Sequence, residues 1–150
     1  MILYRLATAK YADDLSGEGA RLYGGRFNPV GIPAVYTSGN VSLCILEILV
    51  RASRHTAPDS YTLISIEIPD TDIREIKQDK LKKDWQNDLD YTQGIGEDFL
   101  KENKDLCLKV PSAVLPIEHN YVLNPAQAGF KKVKIIATQL LQLDKRLFKK

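Results

Sequence analysis

The sequence has little of the material on which disulfide-rich, metal-binding or highly charged proteins depend. Its 150 residues include two cysteines, two histidines and one tryptophan, and the formal net charge is +2. Two cysteines do not indicate a disulfide framework, and no paired ligand spacing indicates zinc, so we expect no metal site. The small net charge by itself indicates no polyanionic partner.

The sequence also lacks long apolar runs. No stretch is apolar for long enough to span a bilayer, and the first residues have no signal-peptide core. Together with the few cysteines, these absences predict a cytoplasmic protein without membrane contact. The apolar fraction of 44% and the charged fraction of 27% are typical of a globular chain. Without internal repeats or a domain boundary, the chain fits one domain, residues 1–150.

The hydrophobic pattern predicts strands towards both ends of the chain and helices between them. The predicted strands are 1–6, 34–36, 61–68, 73–76, 110–117, 121–123 and 133–143, and the predicted helices are 41–54, 80–89 and 95–106. Two prolines make 110–117 an edge or bulged strand, and the end of 133–143 would also suit a helix. This arrangement predicts an α+β fold rather than a doubly wound sheet.

Glycine and proline are concentrated in residues 17–38, which hold five of the nine glycines and two of the seven prolines. Because glycine permits positive φ and proline removes a donor, this composition excludes a helix and predicts a long ordered loop. A cation, Arg26, directly follows Gly24-Gly25. It would either make a surface ion pair or belong to a site, and the glycine spacing matches neither a Walker loop nor a dinucleotide fingerprint.

Glu47 is the one carboxylate among the otherwise apolar residues 43–50. On a helical wheel it shares a stripe with Arg51 and Arg54. An exposed pair at i,i+4 would contribute about 0.2–0.5 kcal/mol to stability. The residues alone leave open whether Glu47 makes such a pair or belongs to a functional site.

Residues 24–38 read Gly-Gly-Arg-Phe-Asn-Pro-x-Gly-x-Pro-x-Val-Tyr-Thr-Ser and closely resemble the signature of the RES domain, the toxin half of a bacterial toxin–antitoxin pair. The resemblance covers nearly the whole chain. It continues through Leu46-Glu47 and 61–68, and resumes at Trp85, 110–114 and 120–125. It implies an ADP-ribosyltransferase-like core in which two small antiparallel or mixed sheets, with flanking helices, form a cleft for NAD+.

The resemblance also implies roles for single residues. Arg26, Tyr36 and Glu47 fall on the family's catalytic set, with Ser112 at the ribose. A guanidinium suits the NAD+ pyrophosphate, and Gly25 would let the backbone approach it. Glu47 would stabilise positive charge on the sugar, and Tyr36 would offer an aromatic face and a hydroxyl. Tyr36 is equally explained as a core tyrosine, and Ser112 as a strand-end hydroxyl bonded to backbone.

Two residues depart from the family pattern. Phe27 stands where tryptophan is frequent, and Gln127 stands where histidine is common, so Gln127 receives no catalytic role. The implied function is degradation of NAD+, a substrate and not a cofactor, with water or phosphate as the acceptor. One alternative is a transferase that modifies a protein. Another is a non-catalytic binding module that uses the basic end of the chain, residues 131–150, on nucleic acid.

The resemblance further implies a partner, an antitoxin with an Xre-like helix-turn-helix domain. Under this interpretation we expect no direct binding of nucleic acid by the chain itself. The sequence leaves a homodimer open.

Overall fold

The structure is a computed structural model that describes residues 1–52, 58 and 60–148. Its strands are β1 Ile2–Ala7, β2 Val35–Ser38, β3 Ser60–Glu67, β4 Ile73–Glu75, β5 Cys107–Pro111, β6 His119–Leu123 and β7 Lys134–Gln142. Its α-helices are α1 Glu18–Tyr23, α2 Val41–Leu49 and α3 Leu89–Glu102. Short 3-10 helices lie at Ala9–Tyr11, Gln78–Lys80, Trp85–Asn87, Ala128–Lys132 and Lys145–Phe148.

All the described strands belong to one sheet, in the order β4-β5-β6-β2-β1-β3-β7. The expectation of two small sheets is therefore wrong, whereas the mixed α and β composition is confirmed. The sheet is single because β1 pairs antiparallel with β2, and this pairing joins the group β4-β5-β6-β2 to the group β1-β3-β7. This pairing has a single register position, Tyr4 opposite Ser38. Of the described neighbours in the sheet, β4 and β5 are the parallel pair.

The core lies on both faces of this sheet. Successive residues of a strand point to opposite faces, so Cys107 joins one buried cluster and Leu108 the other. The first cluster is centred on Leu3, Ile64 and Ile66 of β1 and β3. In the second cluster, side chains of β5 and β6 pack with residues of α3 and of the glycine-rich stretch.

The glycine-rich stretch contains a helix, α1, so the expectation that its composition excludes one is wrong. The reason is where the glycines fall. Gly17, with φ 75°, precedes the helix and Gly24, with φ 72°, follows it. Both occupy the left-handed conformations that favour glycine at helix ends, and only Gly19 lies inside.

The predicted helix at 80–89 is also wrong. Asp84 has a left-handed φ of 60°, which separates two short 3-10 helices and prevents a continuous helix. Leu81, Trp85 and Leu89 stand at four-residue steps along the sequence, and the first two are buried, but Leu89 is 51% exposed and begins α3. The apolar spacing thus identified two core residues while misjudging the backbone between them.

The other two helices are confirmed with different bounds. Asn40 caps α2, since its side chain accepts a hydrogen bond from the backbone N–H of Leu43 at 2.8 Å. The helix ends at Leu49, and the predicted end at Arg54 lies outside the described residues. α3 replaces the predicted helix 95–106 and starts six residues earlier, where Asp88 provides the N-cap.

Most strand predictions are confirmed within a few residues, including β7 at the ambiguous end of the chain. The exception is 110–117. Its strand, β5, starts at Cys107 and lies between β4 and β6, so it is not an edge strand. Pro111 is its last residue, where the missing N–H interrupts the ladder least. No helix in the described ranges is long and apolar enough to cross a membrane.

Candidate functional site

A cleft of about 640 Å³ opens beside the single Tyr4–Ser38 pairing of β1 and β2. Its walls come from these two strands, from the glycine-rich stretch, from α2 and from the start of α3. Four of the residues predicted for the site line it: Gly25, Arg26, Tyr36 and Glu47. The fifth, Ser112, is completely buried and contacts Glu47.

The Glu47 carboxylate is held by two neutral donors. Its Oε1 accepts a hydrogen bond from Ser112 Oγ at 2.8 Å and another from Asn120 Nδ2 at 2.6 Å. Among the described residues, none donates a hydrogen bond to Oε2. The carboxylate is therefore fixed through one oxygen, which is how a charged group keeps a defined position in a cleft.

The alternative explanation of Glu47, a surface ion pair with Arg51, does not describe this geometry. Arg51 Nε donates to the backbone carbonyl of Glu47 at 3.1 Å. The ion pairs within the described part of the chain do not include one between these two side chains. Arg54, the other predicted partner, lies outside the described residues.

Ser112 uses its whole hydrogen-bonding capacity inside the protein. Its hydroxyl donates to Glu47 and accepts from the backbone N–H groups of Val114 and Leu115 at 3.1 and 3.2 Å. A hydroxyl has one donor and two acceptor positions, and all three are occupied. In this structure Ser112 therefore positions Glu47, and the alternative of a hydroxyl bonded to backbone is also realised.

Asn120 is a site residue to which the sequence analysis gave no role. It lies on β6 directly opposite Ser38, whose Oγ donates to Asn120 Oδ1 at 2.7 Å. Its Nδ2 donates to Glu47, so one amide connects two strands to the catalytic candidate on α2. The available signal was its place at the start of the matching block 120–125, but the strand register that brings it to Glu47 could not be read from the sequence.

Tyr36 and Gly25 form one tightly packed unit. The Tyr36 hydroxyl donates to Asn28 Oδ1 at 2.6 Å and accepts from the backbone N–H of Phe27 at 2.9 Å. Burial raises the pKa of Tyr36 well above its ordinary value, so the phenol stays neutral. A Cβ on Gly25 would lie 2.6 Å from the same hydroxyl. Glycine is thus required here for packing against Tyr36.

Asn28, which is completely buried, is a second residue that the sequence analysis missed. Its Nδ2 donates to the backbone carbonyls of Ala20 and Ile32 at 2.8 and 2.9 Å, which ties α1 to the following loop. The available signal was its place before Pro29, which is typical of a turn and says nothing of burial. Through Tyr36, Asn28 also connects the loop to β2.

Arg26 is held from one side by a backbone carbonyl. Its Nη1 donates to the carbonyl of Gln86 at 2.9 Å, and a guanidinium has five N–H donors in all. The neighbouring Gly25 carbonyl accepts from Gln93 Nε2 of α3 at 2.9 Å. α3 also approaches this loop at Gly96, where a Cβ would lie 1.6 Å from the carbonyl oxygen of Phe27. The loop that carries the cation is therefore fixed against a helix.

Two further groups have no catalytic geometry. Gln127 does not line the cleft, and its side chain caps the 3-10 helix that follows, accepting from the N–H of Gly129. Cys44 does line the cleft, but burial raises the pKa of its thiol to about 11, so it is not a thiolate nucleophile at neutral pH. Among the described residues no group of His, Cys, Asp and Glu could hold a metal ion.

Taken together, the cleft presents a fixed carboxylate, a cation and an aromatic side chain. A fixed carboxylate stabilises positive charge that develops beside it, and a guanidinium binds phosphate oxygens in pairs. Within the described ranges, no second carboxylate of the cleft accepts hydrogen bonds from two neutral side chains as Glu47 does. Such a site suits a reaction in which the leaving group needs no proton.

Comparisons with known proteins all point to one protein family. Residues 2–144 match the family model of the RES domain. The Toxin Res of Photorhabdus laumondii is 39% identical over 153 residues, covering 99% of this chain and 98% of the relative. The Prs ADP-ribosylating toxin of Sphingobium sp. is 31% identical over 144 residues, covering 93% and 89%. The NAD(+) phosphorylase MbcT of Mycobacterium tuberculosis is 30% identical over 131 residues, covering 81% and 66%.

The fold is similar to that in the crystal structure of the M. tuberculosis MbcT–MbcA toxin–antitoxin complex. The TM-score is 0.77 with 24% sequence identity, and the match covers 98% of this chain and 86% of that chain. This likeness supports the mixed α and β fold.

Proposed function

The chain belongs to the RES domain family, and from this premise we propose that it is the toxin of a bacterial toxin–antitoxin pair that degrades NAD+. It would cleave the bond between nicotinamide and ribose and pass ADP-ribose to water or phosphate. The observation that carries this proposal is the Glu47 carboxylate, held at the cleft by Ser112 and Asn120.

In the proposed reaction the carbon–nitrogen bond between the ribose and nicotinamide breaks, and the electron pair stays on the nicotinamide nitrogen. That nitrogen is cationic in NAD+, so nicotinamide leaves as a neutral molecule and needs no general acid. Positive charge develops on the ribose, as in glycoside hydrolysis. Glu47 is the anion that would stabilise that charge, and we assign its Oε2 to the neighbouring ribose hydroxyl.

The second substrate completes the balance. An oxygen of water or of phosphate forms the new bond to the ribose carbon. With water the products are ADP-ribose, nicotinamide and one proton; with phosphate they are phosphorylated ADP-ribose and nicotinamide. The phosphate route is supported by the name of the mycobacterial relative, NAD(+) phosphorylase.

The other cleft residues would bind the substrate or position Glu47. Arg26 has donors beyond the one given to Gln86 and suits the pyrophosphate. The hydroxyl of Tyr36 is used to hold the loop, so its ring face is the part that would contact nicotinamide. Ser112 and Asn120 would act as positioning residues, through Glu47.

The test is incubation of the purified protein with NAD+, with and without phosphate, followed by identification of the products. We expect free nicotinamide in both cases or in the phosphate case alone, and the second product identifies the acceptor. If no nicotinamide appears under either condition, the chain does not degrade NAD+ by this reaction.

A second candidate function is transfer of ADP-ribose to a protein. It is supported by the relative from Sphingobium, whose name describes an ADP-ribosylating toxin. The two functions differ in where the label goes when adenine-labelled NAD+ is added to a bacterial lysate. Label on a protein band supports the transferase, and label only in small molecules supports NAD+ degradation.

We also propose that a cognate antitoxin with an Xre-like helix-turn-helix domain restrains the chain by covering the cleft near Arg26. A complex of toxin with antitoxin is known for the structural relative. Expression of the chain alone should arrest bacterial growth while cellular NAD+ falls, and co-expression of the antitoxin should restore both. Growth arrest with undiminished NAD+ would favour the protein-modifying alternative.

A further inference from the structure

The last residue of α1, Tyr23, has an exposed aromatic side chain at the rim of the cleft. Tyr23 is 84% exposed, the most exposed of the large apolar residues that the structure describes, and it lines the cleft together with Gly25 and Arg26. An aromatic ring in water contributes nothing to the core. Its place in the lining of the cleft leaves the ring open to contact with a bound ligand.

Although the ring is exposed, the backbone beneath it is fixed. The N–H of Gly24 donates to the carbonyl of Ala20 at 2.8 Å, and that same carbonyl accepts from the buried Asn28 side chain. The N–H of Gly31 donates to the carbonyl of Arg21 at 2.8 Å. The last turn of α1 is thus attached to the following loop at two points, so the ring is presented from a rigid base.

From this arrangement, and resting on the proposed function, we infer that Tyr23 stacks on the adenine of NAD+ and makes the cleft selective for dinucleotides over mononucleotides. The order of groups along the ligand supports this assignment. The nicotinamide ribose belongs at Glu47 and the pyrophosphate at Arg26, so the adenosine must continue beyond Arg26, away from Glu47. Tyr23 is the last residue of α1, three residues before Arg26, and lines the same cleft.

A tyrosine ring suits this task because every base has a flat π face. Stacking of a base on an aromatic side chain needs no hydrogen bond and tolerates partial exposure to solvent. The chemistry predicts that the ring matters and the hydroxyl does not. Phenylalanine should therefore replace Tyr23 without loss, whereas alanine should not.

The experiment compares NAD+ with nicotinamide mononucleotide, which has the same scissile bond and one phosphate but no adenosine. For Tyr23→Ala we expect kcat/KM for NAD+ to fall by about 5- to 150-fold, the range that base–aromatic stacking supports. The value for the mononucleotide should stay unchanged, and Tyr23→Phe should behave like the wild type with both substrates. Tyr11→Ala is a matched control, since Tyr11 is also exposed, at 50%, and does not line the cleft.

An unchanged NAD+ value in Tyr23→Ala, or an equal loss with both substrates, would overturn the assignment. Tyr23→Ala that cleaves NAD+ normally but escapes the antitoxin would assign the ring to the protein partner instead. Calorimetric binding of ADP-ribose separates this inference from the proposed function. If the wild-type protein binds ADP-ribose more tightly than Tyr23→Ala does but never cleaves NAD+, the stacking assignment stands and the proposed reaction is refuted. Equal affinity, or no ADP-ribose binding by the wild type, refutes the stacking.

Discussion

Replacing Glu47 by glutamine removes one negative charge and keeps the size and shape of the side chain. In the structure both of its hydrogen bonds end on Oε1, at 2.8 Å from Ser112 and 2.6 Å from Asn120. An amide oxygen in the same place can accept both. The variant should therefore keep the geometry of the site while losing the charge that the proposed reaction needs.

The two expected magnitudes are very different. Hydrogen bonds to a charged acceptor contribute about 1.5–3 kcal/mol and those to a neutral one about 0.5–1.5 kcal/mol, so each bond to Glu47 weakens by roughly 1 kcal/mol. A neutral amide costs less to bury, which offsets part of this loss. We expect the free energy of unfolding to fall by less than about 2 kcal/mol. The turnover number should fall by about a hundredfold or more, which is roughly 2.7 kcal/mol of transition-state stabilisation.

The assay measures kcat and KM for nicotinamide release, together with the free energy of unfolding from urea titration. Glu118→Gln is the matched control. Its carboxylate also accepts a hydrogen bond from a side-chain amide, Asn40 Nδ2 at 2.9 Å, but it does not line the cleft. Both variants should remain folded, and only Glu47→Gln should lose turnover. KM should change little, because the proposed contact of Arg26 with the pyrophosphate is kept.

A folded Glu47→Gln protein that releases nicotinamide within a few-fold of the wild-type rate would refute the reasoning. It would mean that the two donors hold Glu47 for structural purposes. Equal losses in the two glutamine variants would lead to the same conclusion, since the control residue Glu118 does not line the cleft.

Three further predictions concern the loop and the core. Arg26→Lys should raise KM for NAD+ more than it lowers kcat, because lysine keeps the charge but lacks the paired donors of a guanidinium. If steady-state kinetics give the variant a wild-type KM, Arg26 does not contact the pyrophosphate. Gly25→Ala places a Cβ 2.6 Å from the Tyr36 hydroxyl and should cost about 1–3 kcal/mol of unfolding free energy in urea titration, whereas Gly19→Ala, with no atom within 4 Å, should cost nothing. Burial raises the pKa of Cys107 to about 12 from its ordinary value of 9.0, so the contribution of this thiol to stability is constant below pH 9 and is lost as the pH rises towards 12, by about 1.4 kcal/mol per pH unit. A Cys107→Ala variant should therefore lose stability less steeply in alkali than the wild type, and an equally steep loss would contradict this.

The sequence and its resemblance to the RES domain located most residues of the candidate site, but not the contacts between them. The motif around Arg26 and the lone carboxylate Glu47 identified residues that the fold does bring to one cleft. The partners of Glu47 lie 65 and 73 residues away, at Ser112 and Asn120. Which strand positions face each other depends on register across the sheet, and local spacing contains no information about it.

The errors in the fold have local physical causes. Residues 80–89 carry apolar side chains at helical spacing, but the left-handed Asp84 breaks the backbone, and a single aspartate gives no clear warning of it. The opposite error occurs at α1, where glycine content alone excluded a helix although the glycines mostly flank it. The number of sheets depended on one pairing, Tyr4 with Ser38, which pattern analysis cannot detect.

The distance along the chain between Glu47 and Asn120 has a consequence for synthesis. Ribosomes add about 5–20 residues per second, so the 73 residues that separate them take roughly 4–15 s to emerge. During that interval the nascent chain already carries its carboxylate but lacks the amide that fixes it. A toxin that became active before its synthesis was complete would damage its own cell while still attached to the ribosome. Because β6 supplies that amide, the proposed activity would begin only when most of the chain has been made, and an antitoxin that is already present would have that interval in which to bind an inactive partner.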